Sequence, residues 1–194
     1  NVDVSSGAHA NVFGGKTVYG TAGETKKNKL TLKAGANVTN AIGGDTQTNS
    51  GTAEGNVLTV EAGTAANAFG AKTKSGKAFN NKAIAQGGTV MKLIGAVSTN
   101  GAAEDNHAVI TAGSVTGSLM GAQSTDKAIK NTVEIKGGNI SGAKVMGAES
   151  AGNAEKNTVT ITTTPVSNAA TEIIGGHSTG GDAIENVVNV NANI

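Results

Sequence analysis

Short segments in which apolar and polar residues alternate recur along this chain, and each segment follows an asparagine. After Asn131, for example, Val133 and Ile135 are apolar, whereas Thr132 and Glu134 are polar. Strict alternation over five residues is the period of a strand with one buried face, so each segment is predicted to be a β-strand. The asparagines of this column are Asn28, Asn56, Asn81, Asn106, Asn131, Asn157 and Asn186.

A second phrase recurs seven times: two apolar positions, a glycine, a small residue, a variable residue, and then Ser or Thr. Residues 12–17 are its first copy and residues 173–178 its last. Its glycines lie 25 to 29 residues apart and are Gly14, Gly43, Gly70, Gly95, Gly121, Gly147 and Gly175. Such a period is typical of solenoids, in which one repeat buries its apolar face only by stacking on its neighbours.

Two further columns predict where the chain changes direction. A glycine recurs seven residues after the asparagine, as Gly7, Gly35, Gly63, Gly88, Gly113 and Gly138, and the equivalent positions further on hold Thr164 and Asn193. Glycine reaches positive φ without strain, so this column is predicted to be a bend between two strands. Three residues before the asparagine, Thr25 is followed by Ala53, Ala78, Ala103, Ala128, Ala154 and Ala183. A column of nearly all alanine predicts a tight inward corner.

These columns predict an all-β fold, a right-handed parallel β-helix (solenoid) of about seven coils of 25–29 residues. The six-residue rhythm of left-handed β-helices is not visible. Coils spaced by roughly 4.8 Å would give a rod on the order of 34 Å long. We expect the asparagine amides to bond from coil to coil, and the Ser/Thr column could do the same with its hydroxyls. Residues 1–194 form one solenoid segment, expected to be a fragment of a longer repeat array that continues at both ends, because neither end shows a polar cap.

The amino-acid composition argues against several classes of function. The net charge is +1, and all fifteen basic residues are lysine, which is weak evidence against nucleic-acid binding. The chain contains no cysteine, so disulfides and thiolate metal sites are excluded. No run of 18 apolar residues exists, so we expect no membrane insertion by this segment. Aromatic residues make up only 2%, which suits a thin solenoid core filled by small and β-branched side chains.

Enzymes of this shape place several carboxylates in a groove between coils, so a column of Asp or Glu would indicate catalysis. The position two before the asparagine holds Glu54, Glu104 and Glu155, which alternate with Phe79 and Ile129. Carboxylates two coils apart, roughly 10 Å, lie at the outer limit for an inverting glycosidase pair. Scattered surface charge on a corner is the favoured interpretation.

The variable position of the repeated phrase provides the other charged column. Lys16, Asp45 and Lys72 would alternate in charge there, and Glu149 would lie beside His177. No nucleophile or third group accompanies the Glu–His pair. The three histidines lie in different columns, so we expect no metal site, no cofactor and no catalytic residue.

One outward column departs from its polar pattern in the middle coils. Ile84 and Val109 would stack on adjacent coils as an exposed apolar spot, with Val57 nearby. A local register shift that turns them inward, or a covering loop, would remove this exposure. The alternative is an interaction patch for another chain or ligand.

Residues 131–142, 144–150 and 152–157 resemble the Asn-rich repeats in passenger domains of Gram-negative autotransporters, including large fusobacterial-type adhesins. The resemblance covers the whole chain. It implies a right-handed β-helix at the cell surface, carried outward by a separate C-terminal β-barrel. The absence of cysteine fits passengers that cross the periplasm unfolded.

The resemblance implies a non-catalytic structural or adhesive segment: a rigid stalk or binding surface at the outer membrane. Its partners would be a host or bacterial surface protein or glycan. The alternative is a carbohydrate-active β-helix enzyme, which would require an acidic groove. A tail-spike or ice-binding solenoid is a third candidate, but ice binding requires a regular threonine array, and the outward columns are mixed.

Overall fold

Three parallel sheets wind around one axis in the computed structural model of this protein, which describes residues 1–140, 142–163 and 170–191. Successive coils add one strand to each sheet, except that residues 172–174 and 177–178 of one coil form two short strands in the same sheet. Each strand pairs with its equivalents in the neighbouring coils. The predicted all-β parallel solenoid of about seven coils is therefore confirmed. Its right-handedness stays a prediction, in line with the strong preference of parallel crossovers. Thr164 and Asn193, the two exceptions in the glycine column, lie outside the described residues.

The strands fall into three sets. Sheet 1 follows the asparagines and contains β1 Val2–Val4, β4 Lys29–Leu32, β7 Val57–Val60, β10 Lys82–Ala85, β13 His107–Ile110, β16 Thr132–Ile135, β19 Thr158–Ile161 and β23 Val187–Val190. Sheet 2 carries the repeated phrase and contains β2 Gly7–Thr17, β5 Ala36–Thr46, β8 Thr64–Thr73, β11 Thr89–Ser98, β14 Ser114–Ser124, β17 Lys144–Ser150, β20 Glu172–Ile174 and β21 His177–Ser178. Sheet 3 forms the corner and contains β3 Thr25–Lys26, β6 Ala53–Glu54, β9 Ala78–Phe79, β12 Ala103–Glu104, β15 Ala128–Ile129, β18 Ala154–Glu155 and β22 Ala183–Ile184.

The core lies between sheets 1 and 2 and is built from columns of equivalent residues. In sheet 1, Ala83 pairs with Leu58 on one side and Ala108 on the other, and all three are fully buried. The facing column of sheet 2 includes Leu93 and Leu119, also fully buried. The alternation read from the sequence therefore assigns the buried face of sheet 1 correctly from β4 to β19, whereas Val188 and Val190 of β23, which belong to the same inward columns, are 41% and 40% exposed.

The bend glycines have the backbone conformation that the sequence predicts. From Gly7 to Gly138 their φ angles lie between 69° and 89°. Space is restricted as well, since a Cβ on Gly63 would lie 2.5 Å from the carbonyl oxygen of Ala36. Both the torsion and the close stacking of coils therefore require glycine there.

A second corner has left-handed backbone without a glycine signature. The residue directly before each asparagine of the column has a φ between 51° and 62°. The set is Lys27, Gly55, Asn80, Asp105, Lys130, Lys156 and Glu185. This residue and the asparagine after it connect sheet 3 to sheet 1, and only one coil has glycine at the left-handed position.

The asparagine column forms a continuous side-chain ladder, as predicted. The backbone N–H and the side-chain amide of Asn81 both donate to Oδ1 of Asn106, each at 3.0 Å. The same amide also donates to the carbonyl oxygen of Ala53, at 2.9 Å. These bonds recur from Asn28 to Asn186, and the inner asparagines are fully buried. The ladder thus satisfies a row of buried amides while fixing the register between coils.

The Ser/Thr column mostly bonds to the corner rather than to itself. Thr73 Oγ1 donates to Ser98 Oγ at 3.0 Å, which is the predicted hydroxyl-to-hydroxyl contact. From Ser98 onward, however, each hydroxyl donates to a carbonyl oxygen of the preceding coil's corner, for example Ser124 to Gly101 at 2.7 Å. A hydroxyl has one proton to donate, and a backbone carbonyl at the turn accepts it.

Candidate interaction surfaces

The two apolar positions of the repeated phrase lie on opposite faces of sheet 2. The first, such as Leu93 or Leu119, belongs to the central core. The second forms a separate apolar column on the outside, where Ile94, Met120 and Met146 pack together with Phe69 against them. This outer apolar column contains Phe13, Ile42, Phe69, Ile94, Met120, Met146 and Ile174.

The glycine after each of these residues explains why the outer column lies in a groove. A Cβ on Gly43 would lie 2.4 Å from the carbonyl oxygen of Gly70 and 3.1 Å from that of Val57. Because this residue has no side chain, the backbone of each sheet 2 strand lies close to the first residues of sheet 1 and bends inward at this position. The outer surface is therefore concave above the dent, and the apolar column forms its floor.

Amide side chains form one wall of the groove in the first three coils. Asn40 Nδ2 donates to Asn11 Oδ1 at 2.9 Å, and Asn67 Nδ2 donates to Asn40 Oδ1 at 2.8 Å. In the following coils this column continues as Lys92, Ser118 and Lys144. The wall is thus a second, exterior amide ladder, which the sequence reading did not identify.

Charged and polar residues of the variable column form the opposite wall. Lys16 pairs in register with Asp45, and Asp45 with Lys72, as predicted. Lys16 Nζ lies 3.8 Å from Asp45 Oδ2 and 4.4 Å from the centroid of the Phe13 ring. Gln47 also donates to the Asp45 carboxylate, whose side chain is only 4% exposed. The carboxylate charge is therefore compensated locally by a lysine and an amide.

The groove is open over the first three coils, with a volume of about 600 Å³. Its floor there is Phe13, Ile42 and Phe69, and its walls include Asn40 and Lys72. Both rings are half-buried, so part of each aromatic surface faces solvent. Ile42, between the two rings, is buried at 5% exposed, and in the middle coils Ile94 (2%) and Met146 (1%) are buried as well.

The interaction patch predicted on sheet 1 is smaller than the sequence indicates. Ile84 pairs with Val109 on the adjacent coil, without a register shift. Val109 is nevertheless only 4% exposed, while Ile84 and Val57 are half-exposed. Val57 lies in the neighbouring column, and its partner on the next coil is Lys82, so the apolar surface does not extend along that column. A role for Val57, Ile84 and Val109 in binding stays a prediction.

His107 lies at the edge of this patch. Its Nδ1 is hydrogen-bonded to the hydroxyl of Thr132 in the next coil. Burial, followed by the nearby positive charge of Lys82, lowers the pKa of His107 below its ordinary value of 6.5. Glu134 in the same face has a lowered pKa because Lys136 hydrogen-bonds to its carboxylate. The histidine is therefore held in its neutral form, and the carboxylate in its charged form.

The carboxylates on sheet 3 stack with intervening apolar residues, as predicted, and each contacts a polar partner. Lys26 Nζ lies 3.5 Å from Glu54 Oε2, and Lys77 forms an ion pair with Glu104. Asn153 donates to the Glu155 carboxylate at 3.0 Å. The structure thus places these carboxylates in ion pairs and amide contacts along a corner. Exposed pairs of this kind contribute little stability, about 0–1 kcal/mol.

The predicted neighbours Glu149 and His177 are paired in register on adjacent coils. His177 Nδ1 lies 3.8 Å from Glu149 Oε1, and Gln123 donates to the other carboxylate oxygen at 3.0 Å. Among residues 1–140, 142–163 and 170–191, no group of three or more His, Cys, Asp and Glu side chains could hold a metal ion. The part of the chain that the structure describes contains no helix with the length and apolarity that a bilayer crossing requires.

Comparison with known proteins gives no identity. No protein-family model, no curated protein and no solved structure matches this chain.

Proposed function

We propose that this chain is a non-catalytic rod segment that presents binding surfaces at regular intervals, as part of a bacterial surface autotransporter passenger. The observation that carries the proposal is the buried asparagine ladder, which runs from Asn28 to Asn186. Six links between the seven asparagines, each made by the same pair of bonds to one Oδ1, fix one register along the whole stack. A stack with fixed register keeps outward columns aligned, which is what a stalk or a repetitive binding face requires.

The placement of the outward residues also supports presentation. Each outward column is a straight row of side chains spaced by the coil repeat, roughly 4.8 Å. The outer groove of sheet 2 and the Ile84 face of sheet 1 are two such surfaces on one rigid body. Partners at a cell surface, either proteins or glycans, would dock on these rows, and the solenoid would hold them at a fixed spacing.

The alternative function, a carbohydrate-active β-helix enzyme, requires two carboxylates that act as acid and base on one sugar. The best candidates are Glu54 and Glu104, which share a column but have Phe79 between them. Each forms an ion pair with a lysine, and Lys77, the partner of Glu104, also lies over the Phe79 ring. Ion pairs and ring contacts of this kind support the packing of neighbouring coils. A rod function therefore explains Glu54 and Glu104 without any catalytic role.

The experiment that tests the proposal combines turnover with attachment. The purified 194-residue chain is incubated with neutral and acidic polysaccharides, and new reducing ends or unsaturated products are measured. In parallel, beads coated with the chain are tested for retention on arrayed glycans and extracellular-matrix proteins. We expect retention without product formation.

A double variant, Glu54→Gln with Glu104→Gln, serves as the matched control. If the chain forms products and the variant does not, the rod proposal is wrong and the enzyme alternative replaces it. If neither retention nor turnover occurs with any surface, the presentation part of the proposal fails and only the spacer role survives.

A further inference from the structure

The outer groove of sheet 2 combines an apolar floor with two hydrogen-bonding walls. The floor contains two half-buried phenylalanine rings, Phe13 and Phe69, in the same column. They are separated by two coils, roughly 10 Å along the axis, with Ile42 between them. A ligand in this groove would therefore run along the rod and contact an aromatic face at regular intervals.

The charges around the open part of the groove favour an anionic ligand. Lys16, Lys72 and Lys74 line it, against a single carboxylate, Asp45, so the formal balance is +2. Asp45 is almost fully buried and is already in contact with Lys16 and Gln47. Lys72 and Lys74 add two further positive charges on the same wall, one coil on from Asp45.

The backbone of the groove floor argues against an extended peptide. In peptide recognition by strand addition, main-chain hydrogen bonds at a free sheet edge provide much of the affinity. Strand β5 pairs with β2 on one side and with β8 on the other. The backbone donors and acceptors of β5 are used within the sheet, so a ligand that lies over β5 is recognised through side chains.

Side chains of the kinds present match the chemistry of a sugar chain. Rings pack against the apolar faces of pyranose units, the amides of Asn11 and Asn40 can bond to hydroxyls, and lysines attract carboxylate or sulfate groups. We infer that the outer groove formed by the first three coils binds an anionic polysaccharide. This inference deepens the proposed function, on which it rests, by naming the ligand class of one presenting surface.

The test uses the intact chain and fluorescently labelled oligosaccharides of equal length. Heparin fragments carry sulfates, hyaluronan fragments carry only carboxylates, and cello-oligosaccharides are neutral. Binding is measured by anisotropy over a range of NaCl concentrations. We expect binding of at least one anionic oligosaccharide and none of the neutral one. Because heparin carries carboxylates as well as sulfates, binding of heparin alone would show that sulfates are required, and binding of both would show that carboxylates suffice.

A pair of matched double variants tests the location. Lys72→Gln with Lys74→Gln removes two charges from the groove, and Lys29→Gln with Lys127→Gln removes two exposed charges from other parts of the surface. The groove variant should weaken binding about tenfold and lower the slope of log Kd against log salt by roughly one per lysine, by analogy with other polyanions. The control variant should stay within about twofold of the wild type.

A floor variant separates the groove from simple charge attraction. Phe69→Ala should weaken binding several-fold even at high salt, and Phe69→Leu, which keeps an apolar floor, should lose less. Thermal unfolding of each variant shows whether the solenoid is retained, and the lysine variants remain informative if Phe69→Ala is unstable. Equal losses in the groove and control variants would overturn the inference, because they would show unspecific attraction of polyanions.

Two other results have separate consequences. Binding of extended peptides, with no binding of any anionic oligosaccharide, would overturn the inference and assign the groove to a protein partner. Shortening of the oligosaccharides during the measurement would instead contradict the non-catalytic function itself. The inference on the groove and the proposed function can therefore fail separately.

Discussion

Asn81 and Asn106 are joined by two hydrogen bonds to a single oxygen, since the backbone N–H and the side-chain amide of Asn81 both lie 3.0 Å from Oδ1 of Asn106. Both residues are fully buried. The oxygen thus accepts from two donors while its own amide donates onward to Asn131. Each asparagine is a link between three consecutive coils, and neither aspartate nor leucine, with a similar size, could replace both its acceptor and its donors.

The first prediction concerns this ladder. Asn106→Ala removes four hydrogen bonds of the side chain. The buried backbone N–H of Asn81 then loses its acceptor, and the Asn81 amide and Asn131 Oδ1 each keep only one of two partners. The free energy of unfolding should fall by about 3–5 kcal/mol. Asn28→Ala, at the first rung, removes the single amide bond to Asn56 and should cost about 1 kcal/mol. Urea denaturation measures both, and equal costs would contradict a ladder that stabilises through its inner rungs.

The second prediction concerns the glycine that dents sheet 2. In Gly95→Ala the added Cβ would lie 2.3 Å from the carbonyl oxygen of Gly121 and 2.7 Å from that of His107. Backbone atoms cannot move aside cheaply, so the variant should lose about 3 kcal/mol of stability. The control is Ala96→Gly at the next position, where loss of a buried methyl group and added chain flexibility should cost about 1–1.5 kcal/mol. If urea denaturation shows a smaller loss of stability for Gly95→Ala than for Ala96→Gly, the close approach of sheet 2 to sheet 1 does not require glycine.

A stabilising substitution is expected at the second corner. Lys130 has a φ of 54°. Left-handed backbone costs a residue with a Cβ about 1–2 kcal/mol, and glycine avoids this cost but loses more conformational entropy on folding, which offsets part of the gain. Lys130→Gly should therefore raise stability by about 0.5–1 kcal/mol, as the natural glycine at position 55 suggests. Lys127→Gly, directly before β15 and without a positive φ, should lower stability instead. A decrease of the melting temperature in both variants would refute this explanation.

The dependence of stability on pH should reveal His107. Its pKa is lowered in the folded state, so below about pH 6.5 the unfolded chain binds a proton that the folded chain does not. Stability should thus be highest above pH 6.5 and should decrease as the pH falls from there towards the lowered pKa. His107→Gln should flatten this part of the profile. Melting temperatures between about pH 7.5 and 5.5 measure the effect, and identical profiles for the wild type and the variant would disprove it.

Much of this fold follows from the sequence because each coil repeats the same physical problem. Alternation after the asparagine identifies the buried columns, such as Val133 and Ile135, and a recurring glycine marks the bend at Gly113. Ladders of identical residues need no long-range inference, since a parallel stack places equivalents side by side. The fold class, the register and the asparagine ladder were therefore all predictable.

The features that sequence reasoning missed lie where composition carries no signal. Lys130 and Glu185 are ordinary residues held in left-handed backbone by the two sheets that meet there. Two adjacent apolar residues, such as Leu93 and Ile94, give no indication of which faces outward, because the glycine that follows breaks the alternation. The outer groove depends on that break, and so it emerged only from the three-dimensional arrangement.

The rod itself is the central claim, and distances between coils test it most directly. The chain contains no cysteine, so Lys16→Cys with Glu149→Cys allows two nitroxide labels to be attached selectively. These positions share one outward column and are five coil steps apart, roughly 24 Å along the axis at the backbone. Moving the second label to His177→Cys adds one step, roughly 4.8 Å. Pulsed electron paramagnetic resonance should give two narrow distributions separated by this increment, whereas broad distributions, or no increment, would contradict a rigid, register-locked solenoid.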